Sequence, residues 1–199
     1  MRARCARLPA SLAALLLLCA CHAASAQARL SAHDVEAAYL MNFLRYTQWP
    51  AESFANAQAP YVIVVIGSGD VAASVRAVAQ AAGKINGRAI EVHALHSARA
   101  SHADRNADPV AAELNGAHLV YFDDSAAATA RQDLPLLAGK PVLTVSDVPG
   151  FVAAGGMIEL VSAAEHIVFA ANPTAISAAR LVVSAKVLKL ARAGTEAPP

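Results

Sequence analysis

YVIVVIGSGDVAASVRAVAQAAG, residues 61–83, is the stretch that decides the fold. Tyr61–Ile66 is an unbroken apolar run rich in β-branched residues. A strand buried on both faces of a parallel sheet reads this way. Gly67-Ser68-Gly69-Asp70 is a tight turn, and Asp70 is placed to cap a helix running to about Ala82. Gly67 to Ala72 also matches the G-x-G-x-x-A pattern of dinucleotide-binding turns. Asp70 would set a carboxylate against a bound pyrophosphate, and Glu91 is followed by apolar Val92 and Leu95, inside its strand instead of at its end. The plain tight turn is therefore the better reading, and no cofactor is expected.

The same alternation continues outward. Asn86-Gly87 is a turn signal before a strand over Ala89–Leu95. Residues 96–109 read as an irregular loop, and a short helix to about Asn115 precedes strand His118–Phe122. A helix over roughly 125–138, interrupted by Pro135, leads to strand Pro141–Val145. Met157–Val161 and His166–Ala170 form a hairpin. Asn172-Pro173 starts a last helix, with Asn as N-cap, predicted to reach about Arg192. Its buried stripe is Ile176, Ala179, Val183, Val187 and Leu190. Upstream, Val35, Ala38, Tyr39, Asn42, Phe43 and Tyr46 recur at helical spacing, so 34–47 reads as an amphipathic helix ended by Trp49-Pro50. The expected fold is a single-domain α/β three-layer sandwich. Its mostly parallel sheet is mixed at one end by the hairpin and carries helices on both faces.

Residues 1–26 read as an export address: Arg2, Arg4 and Arg7, then an apolar run over Leu8–Ala20, then Ala24-Ser25-Ala26 as a cleavage pattern. The run is too short for a stable membrane span. Leu18-Cys19-Ala20-Cys21 offers a second outcome, lipidation at Cys21. All 3 cysteines lie in this segment, so the mature domain has no internal disulfide and is held by its core. The organisation is 1–26 signal peptide, 27–33 linker, 34–193 domain and 194–199 flexible tail. Without residues 1–26 the chain keeps 13 Lys+Arg against 15 Asp+Glu, a formal charge of −2. No basic field invites nucleic acid or an anionic membrane.

Few constellations carry chemistry. His93, His96 and His102 match no compact ligand spacing, so no metal is expected. Asp123-Asp124 follows a strand and reads first as a helix cap. Ser68 and Ser146 have no partnered histidine, so no catalytic residue is assigned and the chain is read as a non-enzyme. Trp49 either plugs the end of the first helix or anchors a partner. Phe151 lies on a loop at a strand's carboxyl end, where interface and core readings weigh equally.

Five ordered blocks now carry a resemblance: AAYLMNFLRYTQWP at 37–50, INGRAIEV at 85–92, VLTVSDVPGF at 142–151, GGMIEL at 155–160 and ISAARLVVSAKVLKLA at 176–191. Together they resemble the YfiR/HmsC-like periplasmic proteins. The resemblance implies a periplasmic adaptor that binds the sensor domain of an inner-membrane diguanylate cyclase and represses it, limiting cyclic di-GMP and biofilm formation. It also implies a homodimer. Ser146, Asp147, Pro149 and Phe151 are the expected contact loop, with Trp49 and Glu159 beside it. The chain departs from the family in lacking its cysteine pairs, in Glu159 where glycine is common, and at Ala171-Asn172-Pro173. Two other readings stand beside this one. They are a periplasmic small-ligand-binding module using the crevice near Gly67–Asp70 and Asp123-Asp124, and an exported enzyme using that acidic pair.

Overall fold

A run that is apolar at every position, as Tyr61–Ile66 is, needs apolar cover on both faces of its sheet, and it finds it. The computed structural model of the chain describes residues 31–95, 109–163 and 166–191. The export segment with Cys21, the 194–199 tail, His96 and His102 lie outside the described residues.

Helix α1 (Ala32–Tyr46) leads into a two-residue strand β1 (Thr47–Gln48). Then come β2 (Tyr61–Ile66), α2 (Asp70–Ala82), β3 (Lys84–Ile85), β4 (Arg88–Leu95), α3 (Pro109–Gly116) and β5 (Leu119–Phe122). The chain continues through α4 (Ala127–Leu137), β6 (Leu143–Ser146), β7 (Ile158–Ala163), β8 (His166–Ala171), α5 (Pro173–Ala178), β9 (Val182–Val183) and α6 (Ala185–Leu188). The seven-stranded sheet has the order β3-β4-β2-β5-β6-β7-β8. β4, β2, β5, β6 and β7 are parallel, while β3 and β8 run antiparallel at the two edges. The sheet is thus mixed at both ends, not one. The β3–β4 hairpin turns at Asn86 and Gly87, both with positive φ, the pairing a two-residue turn requires.

Alternation along the strands divides the core. Ile63, Val65, Leu119, Tyr121, Leu143 and Val145 face α1 and α2. Val64, Ile66, Val120 and Phe122 face the other way, against Leu114 of α3 and Ala130, Leu134 and Leu137 of α4. These two cores make the three-layer sandwich. Each large side chain removed from water here contributes about 1.5–3 kcal/mol.

Several expectations change. Helix α1 starts at Ala32, because Ser31 and Asp34 form a reciprocal capping box. Its buried face is Glu36, Ala37, Leu40, Met41, Phe43 and Leu44; Ala38, Asn42 and Tyr46 face solvent. Of the residues that recur at helical spacing, Phe43 is buried and Val35 and Tyr39 are half-buried, so the stripe is out of phase with the buried face. Gly69, in the left-handed conformation, is the N-cap of α2, and Asp70 is its first residue. Pro135 sits within the last turn of α4 and does not interrupt it, since it forfeits only one backbone bond there. Strand β6 is Leu143–Ser146, two residues later at its start than expected.

The largest correction is at the C-terminal end. α5 stops at Ala178, where Leu181 N–H donates to Ile176 O and Arg180 N–H to Ser177 O. That is a Schellman closure, with Arg180 at φ +58° where glycine is usual. The chain then pairs Val183 with Thr47 and Val182 with Gln48. Ile176, Ala179 and Val183 are buried as expected, but Leu190 is 74% exposed.

Candidate functional site

Three adjacent parallel strands, β2, β5 and β6, end side by side. Their first loop residues are Gly67, Asp123 and Asp147. Sheets of this kind place ligand crevices at such strand ends.

The Gly67–Gly69 turn is occupied by the protein itself. Asp123 Oδ2 accepts from the Ser68 backbone N–H at 2.6 Å and from the Ser68 hydroxyl at 2.9 Å. The Ser125 hydroxyl donates to the other oxygen, Oδ1. A Cβ on Gly67 would lie 1.9 Å from Asp123 Cγ, so glycine is required there by close approach. An internal carboxylate therefore takes up the turn's Ser68 backbone N–H. Asp123 is correspondingly not a helix cap through its side chain, and Asp124 opens a short 3₁₀ turn over Asp124–Ala126.

Several carboxylates lie near the buried Tyr121. Glu36 of α1 is buried, and its Oε2 is 3.2 Å from Nδ1 of the half-exposed His33. Tyr121 is fully buried, with the Glu36 carboxylate beside its hydroxyl. Burial, then the charges of Asp147, Glu36 and Asp123, push the phenol upward, so it stays protonated. Asp147 is half-buried, with Oδ1 enclosed and unpartnered. Burial first, then Glu36, raises its carboxyl to about 7, with Asp124 and Asp123 adding to the effect. Among the described residues no group of His, Cys, Asp and Glu converges closely enough to hold a metal ion. His93 instead lies 3.8 Å from Glu113.

The expected contact loop divides into a rim and a base. Ser146 is buried; its hydroxyl donates to Phe122 O at 2.7 Å and accepts from Val148 N–H at 2.9 Å. Phe151 is only 3% exposed and packs on Phe122, with Gly156 so close that a Cβ would meet its ring at 2.2 Å. These two side chains therefore root the loop in the core and offer no exposed surface. Glu159 accepts from Gly150 N–H at 3.0 Å and Val152 N–H at 3.1 Å. Pro149 and Gly150 are exposed, above a shallow groove shared with Ala127, Arg131 and Leu134 of α4.

Trp49 is also structural. Its Nε1–H donates to His118 O at 3.1 Å, and its ring packs on Tyr61. It is buried, so it is not an exposed anchor. His118 Nδ1 accepts from Val62 N–H. Burial, with Arg88 adding, pulls this imidazole down to about 4, so it is neutral near pH 7. Phe54 stacks on His118, and the Arg88 guanidinium caps that stack at 3.7 Å.

The burial of Glu36 and of the Tyr121 hydroxyl is not expected from the sequence. Glu36 stands immediately before Ala37 in the helical period that also buries Leu40, Met41 and Leu44. With that period correctly phased, an inward-facing acid is the signal. Tyr121 reads as one more residue of an apolar strand, and nothing local marks its hydroxyl.

The fold is a doubly wound α/β domain, a mostly parallel sheet packed by helices on both faces. No helix among those residues is long and apolar enough to cross a membrane. The chain belongs to the YfiR/HmsC-like family, whose sequence profile matches residues 33–192. Members of that family are known as periplasmic regulators of diguanylate cyclases, regulatory and not catalytic. No curated protein sequence matches the chain.

Proposed function

We propose that this protein is a periplasmic adaptor that binds the sensor domain of an inner-membrane diguanylate cyclase and holds the cyclase inactive, limiting cyclic di-GMP and biofilm formation. The observation that carries this reading is the family match over residues 33–192, which spans the whole α/β domain. The export-type segment at 1–26 is consistent with it. Repression of this kind is a population shift: the adaptor must bind the inactive cyclase more tightly than the active one. The contact surface in this reading is the rim of the loop after β6, with Pro149 exposed, Asp147 half-buried beside it, and Ser146, Phe151 and Glu159 holding it in shape.

The test is a pull-down of the cyclase sensor domain with the purified protein, paired with cyclic di-GMP measurement in cells lacking the adaptor. Capture of the sensor domain and a rise in cyclic di-GMP are the expected results. Failure of both overturns the reading. Mass spectrometry of the mature N-terminus separates cleavage after Ala26 from lipid on Cys21. Sedimentation velocity tests the homodimer that the family resemblance implies.

A further inference from the structure

We propose that residues 51–60 form a strap beside the amino ends of β2 and β5 that acid releases, with His118 as its trigger. The strap's own backbone hydrogen bonds are local: Ser53 N–H to Pro50 O, Phe54 N–H to Ala51 O and Ala59 N–H to Asn56 O. Its ties to the sheet converge on His118 and Arg88. The Phe54 ring stacks on the imidazole at 4.4 Å, and the Arg88 guanidinium lies 3.7 Å over that same ring. Arg88 Nη1 also donates to Asn56 O at 3.1 Å and to Ala59 O at 2.6 Å. At the surface, Glu52 pairs with Arg180 at 2.6 Å.

His118 is buried, and its Nδ1 accepts from Val62 N–H at 3.1 Å. The neutral ring therefore carries its proton on Nε2. A second proton must go to Nδ1, where it meets the Val62 N–H donor to donor. It also sets a second cation against Phe54 in company with Arg88. The groups that face the ring are Arg88 from β4, the Tyr61 phenol ring from β2, and the Ser53 backbone, Trp49 and Phe54 from the segment between β1 and β2. Of these only Arg88 is charged at neutral pH, and it opposes protonation. Burial, with Arg88 adding to it and a Ser53 backbone bond working against it, holds the closed ring neutral down to about 4. Lifting the strap returns the ring to water and to its ordinary 6.5, so acid favours the open form below that value. Glu52 is a later contributor, because an open-strap carboxylate takes up protons only near its ordinary 4.5. Tyr61 and His118 lie at the opposite end of their strands from the loop after β6, so the device is independent of the proposed contact surface.

Amide exchange of the purified protein, followed by NMR from about pH 7 to about 4.5, tests this, with the His118 ring signal and the fluorescence of Trp49, the single tryptophan, read alongside. Corrected for intrinsic exchange, opening at Phe54, Ala59 and Val62 should rise by up to about tenfold per pH unit below 6.5, the slope of one proton. That exchange should ignore dilute urea, the mark of a local opening, while Val64 and Val120 in the core respond to it. Trp49, whose Nε1–H donates to His118 O, should change its emission with the His118 midpoint. His118→Gln, whose amide oxygen can still accept from Val62, should abolish the slope, and the exposed Glu52→Gln should keep it. Strap amides that ignore pH, or that follow urea as the core does, overturn the proposal. So does a slope that vanishes in Glu52→Gln. Wild type and Glu52→Gln decide the matter even where His118→Gln fails to fold.

Discussion

Ser68 gives both its backbone N–H and its hydroxyl to one oxygen of Asp123, at 2.6 and 2.9 Å, across 55 residues of chain. This contact ties the end of β2 to the end of β5. It also explains the first glycine of the G-x-G-x-x-A run, which makes room for a carboxylate of the same chain. Asp123 is 2% exposed, and Ser68 and Ser125 supply the donors that meet its side-chain oxygens. Asp123→Asn keeps the shape but turns an acceptor-only group into one that presents N–H donors. It should lower stability by about 1.5–3 kcal/mol, the range for hydrogen bonds to a charged group. Urea unfolding at neutral pH measures this, and an unchanged midpoint would remove the contact from the fold's support.

Phe151 changes role between sequence and structure, and its substitution should report that. It is enclosed by Phe122 and the Gly156 backbone. Phe151→Ala should cost about 3–5 kcal/mol in folding stability, the usual result of emptying a buried aromatic site. Gly156→Ala should also destabilise, because the new methyl meets the ring. Denaturant midpoints for both variants decide the matter. A fully stable Phe151→Ala would return that side chain to the list of surface anchors.

How far the fold could be read in advance depends on where the physics was local. Tyr61–Ile66 and the Asn172-Pro173 helix start are fixed by residue type and neighbours, and they stand as read. The end of α5 is not local. Its stripe of Ile176, Ala179, Val183 and Val187 fits a continuing helix. What breaks the helix is tertiary: Val182–Val183 is captured by Thr47–Gln48, and an arginine adopts the left-handed turn that glycine normally marks. The loop after β6 is visible in the sequence as the turn that follows a strand, but the long-range contacts that shape it, Ser146 to Phe122 and Glu159 to Gly150 and Val152, carry no local signal.

Two groups make stability depend on pH with opposite signs. His118 drops from 6.5 to about 4 in the fold, so between those values the unfolded chain binds the extra proton and stability falls as pH falls. Asp147 rises from 3.8 to about 7, so the folded protein holds the extra proton and stability falls as pH rises through that window. Asp147→Asn removes the second effect. The variant should gain on the wild type progressively up to about pH 7 and stay ahead above it, with no gain below about pH 4. His118→Gln should flatten the acid slope between about pH 4 and 6.5. Thermal unfolding across that range checks both signs, and a pH-independent difference for Asp147→Asn would show that its carboxyl titrates normally.

Glu159 separates the shape of the contact loop from its chemistry. Its two carboxylate oxygens each accept one backbone N–H, from Gly150 and Val152, and so pin the loop on either side of Phe151. Glu159→Gln retains the volume but leaves one of those donors facing an amide N–H₂. The loss should be about 1 kcal/mol of stability, with faster hydrogen exchange at Gly150 and Val152 than in the wild type. Pro149→Ala, on the exposed rim, should leave that exchange nearly unaltered. If the loop is the cyclase-binding surface, both variants bind the sensor domain more weakly, Glu159→Gln by loosening the surface and Pro149→Ala by removing a contact. Weaker binding without faster exchange in Glu159→Gln would mean that this carboxylate touches the partner directly. Faster exchange with unchanged binding would place the interface elsewhere on the domain.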